Sequence, residues 1–297
     1  MNKAHTILTA LLLASLLPAA GTAALSASEP AGESEPLLDQ LGQTEAPFVD
    51  GEELTYSIYW KPPALLKWLV GDVKAGEVRV RVEKDELDQR PVWKLTAKAV
   101  TTGFVRKRIL EVDDHFESVI DRDDYRSYRL SKTIREGDKT RKDVVSRFQY
   151  AEDQVHVRKT DLKHDPPKTE VKTFEGIPGP LADVVSVFYV ARLRSLSPGD
   201  RYRIHLADES EPHEVQVKVL EREETETPLD EYDSVRISTV GAFFNEGGGF
   251  LIWYSTDDRR LPLRFQADAK IGKVYGELTG IARGNIIKKT IRLGNSE

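Results

Sequence analysis

Cysteine is absent from this chain of 297 residues. That excludes disulfides, thiol nucleophiles and a lipid-modified N-terminal cysteine. Methionine occurs once, as Met1, and histidine six times, never at the spacing of a metal pair and never as H-E-x-x-H. No G-x-S-x-G elbow, S-x-x-K pair, Walker loop or G-x-G-x-x-G run is present. A basic excess is missing too. The net charge of −6 argues against a general nucleic-acid binder, which needs a positive surface. No apolar run reaches the roughly 20 residues that a spanning helix requires. These absences point away from an enzyme and from any cofactor or metal.

What is present is an address and a long β pattern. Lys3, the apolar run Ile7 to Leu17, Pro18 and the small residues up to Ala24 read as a signal peptide over residues 1–24, cut near Ala23 or Ala24. The expected location is the periplasm. Residues 25–50 carry acids but no Lys or Arg and read as a disordered acidic linker, in which Pro36, Leu37, Leu38 and Phe48 are the residues able to dock. Residues 51–293 are expected to form a single β-rich domain. Leu54, Tyr56, Ile58 and Trp60 alternate with more polar neighbours, as do Val78, Val80 and Val82. Arg106 to Glu117 reads as a further strand, and Glu136-Gly137-Asp138 as a hairpin turn between two others. Strands recur at intervals of roughly ten residues. The expected fold is mainly β: a large curved antiparallel sheet or open barrel with one principal helix packed on it.

That helix is placed at Leu181 to Leu193. Leu181, Val184, Val185, Phe188 and Ala191 make one apolar stripe, and Pro178 and Pro180 mark the entry. Asp183, Ser186, Tyr189 and Arg192 step by three along the other side. These polar groups are expected to tie the helix to strand ends through hydrogen bonds and an ion pair.

Several groups could carry chemistry. Asp113-Asp114-His115 offers metal-ligand atom types, but neighbours on a strand point to opposite faces. Asp114 and Asp257 could pair as glycosidase carboxylates do; the bland alternative makes Asp257 a turn cap. Most aromatics read as core. Ala64 to Val70 is an apolar patch between Pro62-Pro63 and Gly71-Asp72, fit for a lid or a peripheral membrane contact. A helix about 10 Å wide cannot cover many strands about 4.8 Å apart. Either the sheet closes on itself or its concave face stays partly open, and both leave room for an apolar pocket. The candidate ligand-binding residues are Leu65, Leu66, Trp68, Phe188, Trp253 and Phe265.

Taken together, Gly51-Glu52-Leu54-Tyr56, Gly76-Glu77, the Asp183-x-x-Ser186-x-x-Tyr189-x-x-Arg192 row, Trp253-Tyr254-Ser255-x-Asp257 and Arg260-Leu261-Pro262-Leu263 resemble the exported bacterial family called domain of unknown function 3108. The resemblance runs from about Gly51 to Leu278; the stretch from Pro62 to Gly71 is longer than the family's usual link. It implies no catalytic residues, since the family has no established activity. It implies an architecture similar to the open antiparallel barrel of periplasmic lipoprotein carriers. The expected function is a non-catalytic envelope protein that binds an apolar or lipid-like ligand. The alternatives are a scaffold for another envelope protein and a carbohydrate hydrolase using Asp114 and Asp257.

Overall fold

The computed structural model describes residues 36–40, 45–62, 71–241, 250–269, 272–283 and 286–289. After a helical turn α1 (Leu37–Gln40), the chain runs through β1 (Glu52–Lys61), β2 (Val73–Leu87) and β3 (Arg90–Thr101). A short helix α2 (Gly103–Arg108) leads to β4 (Asp113–Asp121), β5 (Ser127–Glu136), β6 (Thr140–Gln149), β7 (Gln154–Asp161) and β8 (Lys168–Glu175). A second short helix α3 (Val187–Val190) precedes β9 (Arg201–Leu206), β10 (His213–Glu226), β11 (Glu231–Gly241), β12 (Phe250–Ser255), β13 (Pro262–Ala269), β14 (Gly272–Arg283) and β15 (Ile286–Lys289).

All the described strands belong to one antiparallel sheet, ordered β8-β7-β6-β5-β4-β3-β2-β1-β14-β13-β12-β11-β10-β9, with β15 beside β14. It is two meanders joined by the long-range pair β1 and β14. Alternation sets its two faces: Leu54, Tyr56 and Ile58 on β1 and Leu95, Ala97 and Ala99 on β3 are buried, while Thr55, Thr96 and Lys98 are less so. The hairpin expected around Glu136-Gly137-Asp138 forms between β5 and β6. Gly276 is required by contact. A Cβ there would lie 2.2 Å from the Phe265 ring, which crosses the strand backbone at that point.

Among the described residues the ladder does not close on itself, and the chain between β8 and β9 bridges the gap. Ser127 N–H donates to the Leu181 carbonyl (2.8 Å), and Ala182 N–H donates to that of His205 (2.9 Å). One residue pair thus links the start of β5 to edge strand β9. Beyond it, the β9–β10 connection lies against β5, β6 and β7. Lys132 Nζ, fully buried, reaches Asp208 at 2.5 Å and Glu209 at 2.6 Å, and Ser146 Oγ donates to the Asp208 carbonyl. Burial pushes the Asp208 carboxyl up, whereas the nearby lysines Lys132 and Lys142 hold that of Glu209 below its ordinary value against its own burial.

Three expectations are corrected. The helix at Leu181 to Leu193 reduces to α3 and a following 3-10 turn, Ala191–Leu193. Residues 181–186 are all buried, so no side of the segment faces water, and Ala182 is held in a β-bridge to Leu206. Val184 and Val185, just before α3, are β-branched and favour helix weakly. Next, residues 103–108, partly read as strand, are helical. Finally, the linker of residues 25–50 is docked where described. Leu37, Leu38 and Phe48 are buried, and Phe48 meets Trp93, Tyr125 and Tyr189 edge-on with ring centroids 5.1–6.4 Å apart.

Candidate functional site

The sheet has two rims. At the upper rim β1, β3, β11 and β13 end and β2, β4, β12 and β14 begin; the lower rim holds their other ends. The segment 181–193 crosses the concave side and fills its lower part. Asp183 Oδ2 accepts from Ser118 Oγ (2.5 Å) and Ser127 Oγ (2.7 Å), while its Oδ1 accepts the Val185 and Ser186 N–H groups. Burial pushes this carboxyl up, and those hydrogen bonds pull against it. Nine residues on, Arg192 Nη1 donates to Glu52 Oε1 at 2.7 Å with both side chains fully buried. Asp183, Ser186 and Arg192 therefore tie the segment to strands, as their buried polar atoms require, whereas the buried Tyr189 hydroxyl of the same row has no hydrogen-bond partner among the described residues.

Higher on the concave side the lining turns aromatic. The Phe188 ring lies 5.8 Å from that of Phe250 and 6.4 Å from that of Phe265; Phe265 lies 6.1 Å from Phe250 and 5.5 Å from Tyr56. Phe250 and Phe265 are buried, whereas Phe188 and Trp60, near the upper rim, are only partly so. The structure brings together two of the expected ligand residues, Phe188 and Phe265. Trp253 is not with them. It is on the convex face, where its indole donates to Glu223 (2.6 Å) and lies 5.9 Å from the Arg236 guanidinium and 5.7 Å from that of Arg264. Strand parity separates them, because Phe265 pairs with Ile252 and Trp253 with Arg264. Leu65, Leu66 and Trp68 lie outside the described residues.

A second concavity lies at the lower rim. It has a volume of 630 Å³, with Phe48, Trp93 and Tyr125 as its aromatic lining and charges of both signs around them. Lys84 Nζ and the Arg122 guanidinium stand 5.8 and 5.3 Å from the Trp93 ring centre. This site depends on the docking of residues 45–50, for which the sequence offered only Phe48 as a signal.

The carboxylates considered for hydrolysis do not converge. Asp114 lies at the start of β4 on the upper rim, and Asp257 in the β12–β13 turn on the lower. Asp257 accepts from Ser255 Oγ and the Arg259 N–H groups, as a turn cap does. Along β4, Asp113 is exposed and Asp114 buried, so Asp113-Asp114-His115 presents no common face. Among the described residues, no group of three or more His, Asp or Glu is arranged to hold a metal ion.

Asp114 does have a consequence for stability. Burial, with Glu136 and Asp113 nearby, pushes its carboxyl up to about 7 against the pull of the Arg135 N–H it accepts. Between the unfolded value near 3.9 and about 7, the folded chain holds a proton that the unfolded chain has lost. Stability from this group therefore falls as pH rises through that window and levels off above it. Asp114→Asn should remove that fall and raise stability at pH 8 by about 2 kcal/mol, read from urea midpoints at pH 5 and pH 8. A variant with the wild-type pH profile would refute the assignment.

The sequence matches the family described as "Protein of unknown function (DUF3108)" over residues 55–279. No curated protein matches it. Among solved structures, a β-barrel-like protein of the domain of unknown function DUF1849 from Brucella abortus is similar at a TM-score of 0.52 and 12% identity, covering 79% of this chain and 98% of that one. A protein with a YmcC-like fold from Bacteroides fragilis, described as exported, has a TM-score of 0.33 at 10% identity over 81% of this chain and all (100%) of that one. A protein from Parabacteroides distasonis, described as a lipoprotein, has a TM-score of 0.32 at 10% identity, covering 80% and 99% of the two chains. At these identities the likeness to the Brucella protein concerns the fold.

Proposed function

This chain belongs to the DUF3108 family of proteins of unknown function, and from that footing we propose that it is an exported, non-catalytic envelope protein that binds an apolar or lipid-like ligand on its concave face. The observation that carries the reading is the aromatic floor of Tyr56, Phe250 and Phe265 with Phe188 only partly buried above it. The mouth of a curved β-sheet is a common ligand site, because its strands supply apolar walls without further chain to cover them. The signal-peptide pattern of residues 1–24 supports a periplasmic location. Separation of Asp114 from Asp257 across the sheet supports the non-catalytic part.

A fluorescent fatty-acyl probe tests the reading. The purified protein should bind it, and Phe188→Ala should weaken binding roughly tenfold, the usual worth of a buried aromatic contact. Arg122→Ala, in the lower cleft, should leave binding unchanged. The opposite pattern would move the ligand to that cleft, the second reading, which its 630 Å³ favours. Absence of probe binding would refute both.

A further inference from the structure

Helix α2 carries a feature that the ligand reading does not use. Phe104 is 64% exposed, and it is the one exposed aromatic among the described residues. The helix is held from its other side. Val105 is buried at 3%, Thr102 N–H donates to the Ala75 carbonyl (3.0 Å), and Arg106 reaches Asp113 at 2.8 Å as well as Glu111. Residues three and four apart share a helix face, so Lys107 and Arg108 stand beside Phe104. Both are exposed, and neither has a carboxylate within ion-pair distance among the described residues. Cations in a last helical turn also suit the helix dipole. That bland account explains Lys107 and Arg108 but leaves a large apolar ring in water.

We infer that Phe104, Lys107 and Arg108 dock the upper rim onto a bilayer surface carrying anionic phospholipid. An aromatic ring beside two lysine or arginine heads is the chemistry of interfacial binding. The ring enters the boundary between headgroups and acyl chains, and the cations meet the phosphates. Charge complementarity selects a membrane: on a chain that is acidic overall at −6, Lys107 and Arg108 are exposed cations beside an exposed ring, opposite in sign to an anionic surface. The patch is at the rim where β1 ends and β2 begins, so docking brings the mouth of the concave face to the membrane. The inference goes beyond the ligand reading and holds whether or not the mouth takes an apolar molecule.

Vesicle co-sedimentation tests it, using phosphatidylcholine vesicles with and without phosphatidylglycerol. The wild type should sediment with the anionic vesicles only, and less as salt is raised. Phe104→Ser should lower partition roughly five- to tenfold, and Lys107→Gln or Arg108→Gln about fivefold each. All three should still bind the acyl probe as the wild type does, which separates this inference from the preceding one. Phe104→Trp reads insertion directly, through a blue shift of its emission on anionic vesicles, and keeps the test valid should Phe104→Ser fold poorly. Equal binding to neutral vesicles, no binding at all, or an unshifted Phe104→Trp emission would overturn the inference. Capture of envelope proteins by this patch without vesicle binding would overturn it too, in favour of a protein partner.

Discussion

Arg192→Met is expected to lower stability by about 3–5 kcal/mol, the usual cost of removing one partner from a buried ion pair. The guanidinium is fully buried. It donates to both carboxylate oxygens of Glu52, at 2.7 and 3.4 Å, and through Nε and Nη2 to the Arg259 carbonyl at 3.2 and 3.0 Å. The Phe48 and Tyr189 rings lie 5.5 and 5.1 Å from it. Burial disfavours its charge, but the Glu52 carboxylate outweighs burial and raises the pKa. One side chain therefore fastens the inner segment to the start of β1 and to the β12–β13 turn, and packs on the docked N-terminal residues. Methionine fills much of the same space but leaves the Glu52 charge buried with, among the described residues, only Arg283 as a cation, at 3.3 Å. Adding Glu52→Leu to Arg192→Met should recover much of the loss, since an apolar pair needs no counter-charge. Urea denaturation of both single variants and the double variant measures this. A single variant within about 1 kcal/mol of wild type would mean that the pair is not a principal tie.

Asp183→Ala should cost a similar amount, about 3–5 kcal/mol, by stranding several buried donors together. Ser118 and Ser127 hydroxyls and the Val185 and Ser186 N–H groups all converge on its carboxylate, where no water reaches. Asp183→Asn separates hydrogen bonding from charge. Its amide oxygen can keep the two backbone donors, and the serine hydroxyls can turn to accept from its NH₂. It should therefore lose only about 1 kcal/mol. Equal losses for Ala and Asn would show that the charge, and not the acceptor geometry, matters. Because Ser127 also anchors the bridge to β9 through its backbone N–H to Leu181, Asp183→Ala should expose the β5–β9 gap to hydrogen exchange before the rest of the sheet opens.

These residues also show where reading a sequence succeeds and where it stops. Strands were legible because burial on one face writes itself into the chain as a period of two. Leu54-Thr55-Tyr56 and the hairpin at Glu136-Gly137-Asp138 needed no tertiary knowledge. The row from Asp183 to Arg192 was legible as a set of ties, since polar groups on a half-apolar segment must find partners. Its secondary structure was misread. A period of three to four residues assigns a helix only where one side meets water, and here residues 181–186 are buried on every side. Trp253 was grouped with Phe265 because an aromatic in a strand is apolar on either face; only the register of β12 against β13 puts it on the opposite face, buried beside Arg236 and Arg264.

By itself, then, the sequence determined the class of fold, the absence of thiol chemistry and the family, because these rest on local periodicity, composition and motif. The tertiary structure alone decided that β1 pairs with β14 across more than two hundred residues, and that Glu52 meets Arg192. It alone turned the segment at Leu181 inward and left Phe104 in solvent. Such contacts depend on which distant strand comes to lie beside which, and a side chain's neighbours across a sheet leave no trace in its neighbours along the chain.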